Sequence, residues 1–278
     1  MYMNRKIIIK AFVLCQVLLL TVSCSVKESR LGCPCILNMD YAKIRTDERR
    51  ANAQNPDSLL VIVQGAYNSF VRMSEWPAYH TINVPRSRLH LACYLGATEE
   101  RLEQGRTRLM IPLGEDCDRL FSYHRILQLY EDSEEEFVTP TLSNEYTKVI
   151  ISMDPEAHDT SSGKESMRVS GTTCGLDLNT GYAIEGPFKY DMDIYDSHSY
   201  CFNMPRQKNR DIRIDAISSQ SGGPLYSIDL AGELDRAGYD WNAESLPPLV
   251  VVEINAQHLP IGVKIIDWEE AIYFNYYL

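Results

Sequence analysis

The sequence predicts an all-β protein made of two tandem β-sandwiches with at most one short helix. Many short stretches either alternate apolar and polar residues or form brief apolar runs between turn residues, which is typical of antiparallel strands rather than βαβ units. Tyrosine is frequent, with 17 residues, and 45% of the chain is hydrophobic. A chain of 278 residues is long enough for two domains of ordinary size.

The predicted strands follow from this alternation. In one of them, Leu89, Leu91 and Leu95 share a face. The apolar run at 59–63 is typical of a strand buried on both faces. The predicted strands cover residues 35–41, 59–63, 89–95, 147–153, 210–217, 249–254, 261–268 and 271–278. Ile272, Phe274, Tyr276 and Leu278 share one face of the closing strand.

One helix is predicted over residues 118–130, where Leu120, Tyr123 and Leu127 recur at helical spacing. The acidic run that follows, 131–136, is interpreted as a solvated connector. It sets the predicted boundary between a sandwich at 34–136 and a second one at 137–278. A boundary within 154–166 is the alternative.

Residues 1–23 are predicted to be a signal peptide. Arg5, Lys6 and Lys10 precede an apolar stretch of twelve residues. A membrane-spanning helix needs roughly 20 apolar residues, whereas the apolar region of a signal peptide needs only about 7 to 15. Removing these three cations lowers the net charge of the mature chain from −11 to −14.

The segment that ends in Ser23-Cys24 resembles a bacterial lipobox. Cleavage before Cys24 would leave this residue to carry diacylglycerol and N-acyl lipid, and 24–33 would form a lipidated tether. Several acyl chains hold a protein firmly at a bilayer. Ser25 is consistent with sorting to the outer membrane. The alternative is an ordinary signal peptide with a cysteine nearby.

The remaining cysteines could form disulfides or stay as buried thiols, and the sequence leaves both possibilities open. Cys33 and Cys35 flank Pro34, which makes a bridge between these two unfavourable. The six cysteines after Cys24 are Cys33, Cys35, Cys93, Cys117, Cys174 and Cys201.

No sequence motif predicts an enzyme, a metal site or a cofactor other than the lipid on Cys24. GxGxxG, P-loop, HExxH and GxSxG patterns do not occur. The segment with Asp191, Asp193 and Asp196 fails as a calcium loop, because the required glycine is not in place. A net charge of −11 without a basic run argues against a nucleic-acid partner.

The order of several segments carries a family resemblance. After the lipobox come "CPCILNMDY", "DSLLVIVQGAYNSFV", "INVPRSRLHLACYLGA", "EFVTPTLSNEYTKVIISM", "LYSIDLAGEL" and "PPLVVVEINAQHLPIGVKIIDW". This series resembles the FimB/Mfa-type fimbrial lipoproteins, which are the anchor branch of the FimA-like (type V) pilus superfamily. The resemblance spans nearly the whole mature chain.

The resemblance implies two transthyretin-like β-sandwich domains. It also implies an outer-membrane lipoprotein that faces the surface of a Gram-negative cell, holds the base of a fimbria and limits its length. Cys24 matches the lipid-bearing cysteine of the family, and Cys33 matches a cysteine typical of anchor sequences.

Stalk subunits of this superfamily lose a leader to a trypsin-like protease, which vacates a groove for a neighbour's strand. Arg45, Arg49 and Arg50 offer such cleavage points, but cutting there would remove only a short piece. The resemblance therefore favours an uncut anchor that contacts fimbrial stalk subunits by β-strand addition. The predicted contact residues are Phe274, Tyr276 and Leu278, although their strand is equally well explained as the last core strand.

Two alternatives remain. The chain could be a fimbrial stalk or tip subunit. It could also be a carbohydrate-binding surface lipoprotein, for which an exposed platform of aromatic residues is expected. Trp76, Trp241, Trp268 and the many tyrosines are the candidates for such a platform.

Overall fold

A computed structural model describes residues 33 to 273, except 54, 104, 131, 155–164 and 219. Cys24, the predicted signal peptide and the predicted contact residues Phe274, Tyr276 and Leu278 lie outside the described residues. The described part contains these strands: β1 (Cys35–Asp40), β2 (Ser58–Val63), β3 (Tyr67–Arg72), β4 (Tyr79–Val84), β5 (Arg88–Leu95), β6 (Arg108–Met110), β7 (Phe121–Gln128), β8 (Glu135–Val138), β9 (Ser143–Asn144), β10 (Tyr146–Met153), β11 (Glu165–Asp177), β12 (Ala183–Asp191), β13 (Asp193–Asp196), β14 (Ser199–Pro205), β15 (Ile212–Ser218), β16 (Pro224–Asp229), β17 (Leu249–Ile254) and β18 (Pro260–Ile266).

The predicted all-β class is confirmed, but the prediction of at most one short helix is wrong. Three short helices occur in the described chain: α1 (Ala42–Thr46), α2 (Leu230–Arg236) and α3 (Trp268–Tyr273). The start of α2 has a recognisable signal in the sequence. The side chain of Asp229 caps it by accepting a hydrogen bond from the backbone N–H of Gly232 at 3.1 Å.

The first sandwich packs a three-stranded sheet against a five-stranded sheet. The strand orders are β4-β1-β8 and β3-β2-β5-β7-β9. Alternate residues of these strands point inward and form one core, which includes Leu37, Met39, Val61, Leu91 and Phe121. These positions are apolar because the side-chain period of two places them in the core.

Strand β1 is the middle strand of the three-stranded sheet. It pairs antiparallel with β4 along its whole length and parallel with β8. Its inward side chains Cys35, Leu37 and Met39 are fully buried. The sandwich therefore depends on the strand that stands closest to the predicted lipid tether.

The predicted helix over 118–130 is wrong, because most of this segment forms strand β7. Eight residues of β7 pair with β5 in unbroken antiparallel register. Aromatic and β-branched residues such as Phe121, Tyr123 and Ile126 favour a strand, and the pairing satisfies the backbone groups that a helix would otherwise have used. The helical spacing of its apolar residues was coincidental.

The second sandwich encloses a separate core. One sheet has the order β13-β14-β10-β17-β18, and the facing sheet has the order β12-β11-β15-β16. Val149, Phe202, Val252, Ile214 and Met167 meet between them. The division of the chain at residue 136 stays a prediction; the acidic run that motivated it leads into β8, beside the start of β1.

The two sandwiches share a buried apolar contact. Strand β6 leaves the first sandwich and pairs with the end of β11. A small cluster then joins the outer face of the first five-stranded sheet, at Leu60, Ile62 and Ala92, to Leu109 and Leu176.

Polar bonds reinforce this contact at the crossing between β9 and β10. Glu145, which is buried, accepts a hydrogen bond from the Ser122 hydroxyl at 2.5 Å and one from Arg206 Nε at 2.6 Å. Arg206 also donates to the carbonyl oxygen of Ala243 at 2.8 Å. Because the charge of Glu145 is buried and paired, removing either partner would leave an uncompensated charge.

A hydrogen-bonded chain of side chains links the first sandwich to the β11–β12 turn. The Tyr94 hydroxyl donates to the carbonyl oxygen of Leu178 at 2.8 Å. His124 Nε2 therefore donates to the Tyr94 oxygen at 3.1 Å, and His124 Nδ1 accepts from His90 Nε2 at 3.3 Å. Each imidazole in this arrangement is neutral.

The C-terminal helix α3 replaces part of the predicted closing strand, so the strand prediction is wrong over residues 271–273. Ala271 is fully buried against Ile150, Leu249 and Ile266 on the outer face of the second sandwich. Trp268 packs on the core of the first sandwich, with its ring centroid 6.1 Å from that of Phe121.

We expect the stability of the protein to depend on pH through His124. Burial, His90 and Arg206 lower the pKa of His124 from 6.5 to about 4. Between about pH 6.5 and pH 4, His124 therefore binds a proton in the unfolded chain but not in the folded one. The free energy of unfolding falls as the pH is lowered through this range. The slope from one proton cannot exceed about 1.4 kcal/mol per pH unit.

The variant His124→Gln replaces the titrating imidazole by an amide that can still donate and accept hydrogen bonds. Urea unfolding at several pH values should show a shallower loss of stability between pH 6.5 and 4 than in the unmodified protein. If the free energy of unfolding depends on pH equally in the two proteins, His124 is not the source of the pH dependence. Comparing the two proteins also cancels the opposing contribution of Asp116, whose pKa burial raises to about 7.

Candidate subunit-docking site

The described cysteines are all free thiols, which settles the alternative that the sequence left open. Cys33 is exposed, directly before the Pro34 that precedes β1. Cys35 and Cys93 are buried, and burial raises the pKa of both thiols. Buried thiols with raised pKa values are poor nucleophiles, so these two residues act as small apolar core residues.

The candidate cleavage points lie in ordered structure. Arg45, in α1, donates to the carbonyl oxygens of Met73 at 3.3 Å, Trp76 at 2.9 Å and Pro77 at 3.3 Å. Arg49 pairs with Asp47 at 2.5 Å, and its guanidinium also lies 5.7 Å from the centre of the Trp268 ring.

A cut at these arginines would remove a short piece, as expected, but one that the first sandwich depends on. The piece contains β1, the central strand of the first three-stranded sheet. Removing it would separate β4 from β8 and expose a core that β1 fills with three fully buried side chains. Cleavage here would therefore open a groove of one strand's width.

The edge strands of the sheets differ in how well they could pair with a strand of another protein. At β4 the inward side chains His80, Ile82 and Val84 are already buried, so a further strand would cover little apolar surface. Strand β13 is short and carries the exposed acids Asp193 and Asp196. Charged, short edge strands resist pairing with other chains.

Strand β18 is better suited to such pairing. It pairs with β17 on one side and is the last strand of its sheet. Val263 and Ile265 face the second core but are only partly buried, and Ile261 is 63% exposed. Added strands gain backbone hydrogen bonds at such an edge, and they also cover apolar side chains.

The facing sheet ends at β16 on the same side of the sandwich. Tyr226 of β16 stacks on His258, which lies in the turn before β18, with ring centroids 4.5 Å apart. Leu225 on β16 and Leu259 next to His258 are both exposed. Exposed apolar residues of β16 and of the turn before β18 therefore lie close to this edge, and we call strand β18 together with Leu225 and Leu259 the β18 edge.

The tryptophans do not form the predicted aromatic platform. Trp241 is buried and donates to Asp235 at 2.7 Å, and Trp268 is packed on the first core. Trp76 is partly exposed, and its ring packs against His80 at a tilt of 41°, with centroids 4.7 Å apart.

Within the described ranges, no cluster of three or more histidine, cysteine or acidic side chains could hold a metal ion. None of the described helices is long and apolar enough to cross a bilayer.

No protein-family model and no curated protein sequence matches this chain. Solved structures match its fold. The fimbrial anchor protein Mfa2 from Porphyromonas gingivalis aligns with a TM-score of 0.58 at 12% identity, covering 85% of this chain and 98% of that one.

Two further structures are similar. One, from Bacteroides thetaiotaomicron and described as a "putative polysaccharide binding" protein, has a TM-score of 0.56 at 12% identity and covers 86% of this chain and 99% of its own. The other, a "putative adhesin" from Bacteroides ovatus, has a TM-score of 0.55 at 10% identity and covers 85% and 93%.

These likenesses establish the fold. The predicted resemblance to Mfa-type proteins is thereby confirmed at the level of structure. None of the three proteins is described as an enzyme, in agreement with the sequence-based prediction.

We expect Arg49 and Arg50 to resist trypsin in the folded mature protein. Their bonds lie in a helical turn, and cleavage there needs local unfolding. Brief digestion followed by mass spectrometry should show early cuts at exposed loop sites such as Arg210, with residues up to 50 still attached.

The variant Arg45→Ala removes three hydrogen bonds that hold α1, so it should accelerate cleavage after Arg49 and Arg50. Rapid cleavage there in the unmodified protein, with the remaining chain still folded, would instead identify residues before 51 as a removable leader.

Proposed function

We propose that this protein is a fimbrial anchor subunit, a lipoprotein of the outer membrane that faces the cell surface, holds the base of a fimbria and limits its length. The observation that carries the proposal is the position of β1. A stalk subunit must give up a strand to receive its neighbour, whereas here the inward side chains of the corresponding strand are fully buried and Arg45 and Arg49 behind it are engaged. The fold shared with Mfa2 supports the same role.

Lipid on Cys24 would fasten the protein to the membrane. The stretch from Cys24 to Pro34 can extend over at most roughly 35 to 40 Å. A tether of this length keeps the first sandwich close to the bilayer, and several acyl chains make attachment persistent. The first sandwich would then be proximal to the membrane.

The fimbrial stalk would be held by strand addition at the β18 edge. A partner strand pairing with β18 would cover Ile261 and bury Val263 and Ile265 further. Among the described edges compared above, this one combines the position of a last strand with uncovered apolar side chains. The predicted contact residues Phe274, Tyr276 and Leu278 follow α3 and remain candidates for the same contact.

We expect Cys24→Ala to release fimbriae from the cell. The test replaces the gene by this variant and examines cells and culture medium by electron microscopy. Loss of the lipid should shed filaments into the medium or leave them overlong, as deletion of the gene should. Cys33→Ala is the matched control, because this exposed thiol lies between the lipid site and β1.

Two other outcomes of the Cys24→Ala experiment would contradict the anchor assignment. Filaments that stay attached and normal in length would exclude anchoring. Complete absence of filaments would indicate a stalk or tip subunit.

We expect Ile261→Lys to weaken the hold on the filament while the lipoprotein stays in the membrane. A lysine on an edge strand opposes strand pairing, and the exposed position costs little folding stability. Leu113→Lys, at another exposed apolar residue, is the control and should leave attachment unchanged. Shed filaments are counted by immunoblot of the medium.

Deleting residues 274–278 tests whether these residues or the β18 edge contact the stalk. A deletion that starts at 271 would remove the buried Ala271 and damage the fold, so it is unsuitable. Retained attachment after deletion of 274–278, together with loss in Ile261→Lys, would assign the contact to the β18 edge alone. If filaments stay attached in both variants, the strand-addition mechanism is contradicted.

A further inference from the structure

An open cleft of about 490 Å³ lies between the two sandwiches. The first sandwich contributes His124, and the turn between β11 and β12 contributes Tyr182. Asn242 and Glu244, in the loop before β17, also line it, as do Arg206 and Lys208, which follow β14. This volume falls within the range of about 300 to 1,000 Å³ that is typical of small-molecule sites.

Tyr182 lines the cleft with an exposed ring, and 74% of its surface is accessible. The turn that carries it is tightly fixed. The Asp177 carboxylate accepts hydrogen bonds from the backbone N–H groups of Asn179 at 3.0 Å and Thr180 at 2.9 Å. Asp177 N–H in turn donates to the carbonyl oxygen of Tyr182 at 2.9 Å.

The same turn is fastened to the first sandwich. Tyr94 donates to Leu178, as described above. Gly181 has a φ of +72°, and a Cβ at this position would lie 2.9 Å from His124 Nε2. The sequence therefore holds an exposed aromatic ring at the cleft on backbone that has little freedom to move.

An exposed ring on a rigid support is a common feature of binding sites. A tyrosine ring offers a large apolar face and loses little conformational entropy on binding, and preorganisation of its backbone lowers the cost of binding further. An exposed ring on a mobile loop would lack the second of these advantages.

The charged groups at the cleft carry no excess of positive charge. Arg206 pairs with Glu145, and Lys208 lies 3.4 Å from Glu185. Glu244 adds a carboxylate, while His124 is neutral at pH 7. A strongly anionic ligand would find no surplus of positive charge here, and the protein as a whole carries −11.

We propose that this cleft binds an uncharged oligosaccharide, with one sugar ring stacked on Tyr182 and its hydroxyl groups bonded to Asn242, Glu244 and Lys208. A sugar ring has an apolar face of C–H groups and a rim of hydroxyls that both donate and accept hydrogen bonds. The cleft supplies the matching groups: an aromatic face, an amide, a carboxylate and an ammonium group.

This site is separate from the β18 edge and from the lipid tether, so it does not depend on the proposed anchor function. Its residues come from both sandwiches, and their relative positions depend on the Arg206–Glu145 pair and the Tyr94–Leu178 bond. Carbohydrate binding would give the base of the filament an attachment function of its own.

The test is an array of neutral, sialylated and sulfated oligosaccharides probed with the full mature protein, followed by calorimetry with the neutral oligosaccharide that binds best. Tyr182→Ala should weaken that binding at least about tenfold, which corresponds to about 1.4 kcal/mol. Tyr182→Phe should retain most of it, because the stacking face remains. Tyr130→Ala, at a tyrosine of similar exposure outside the cleft, is the control.

Thermal unfolding of each variant shows whether the fold is retained, which is expected because Tyr182 is largely in solvent. The proposal is overturned if no neutral oligosaccharide on the array binds, or if only sialylated or sulfated ones do. It is equally overturned if Tyr182→Ala binds as well as the unmodified protein, or if Tyr130→Ala loses as much affinity.

Discussion

The first sandwich depends on one short strand held between two neighbours. β1 contributes six residues, yet it provides the only link between β4 and β8 within the described sheet and fills the core beneath them. Its hydrogen bonds run to both sides, and its inward side chains have no exposed surface. The same strand begins next to the proposed lipid tether. A load applied from the membrane would act along β1 and would have to break both rows of hydrogen bonds together. This arrangement suits a protein that holds a filament to a cell.

The regular part of the fold was readable from the sequence, because core strands carry an apolar residue at every second position. β2, β5, β10, β15, β17 and β18 all lie in predicted segments for this reason. β11 was missed because it is rich in glycine, serine and threonine and its pairing with β12 contains register shifts, so its burial is set by the neighbouring strands rather than by its own pattern. β7 was misassigned because apolar spacing over thirteen residues fits both periods, and only the partner β5 decides between them.

The candidate sites were less predictable than the strands, for a different physical reason. The exposed state of Ile261 follows from β18 being the last strand of a sheet, and sequence patterns do not specify sheet order. The cleft beside Tyr182 brings together residues from 124 to 244, and only the packing of two sandwiches makes them neighbours. What the sequence does show is the turn itself, since Asp177, Asn179 and Gly181 have the spacing of a tight hairpin connection.

The junction between the sandwiches connects these features. A filament held at the β18 edge would pull on the second sandwich, while a lipid on Cys24 would restrain the first. The force must then cross the contact made by Glu145, Arg206, Tyr94 and the apolar cluster around Leu60 and Leu176. A buried ion pair and neutral, directional hydrogen bonds resist reorientation more strongly than an apolar contact alone, which has no preferred direction. Since the walls of the cleft come from both sides of this junction, the rigidity that would transmit load also preserves the geometry of the cleft.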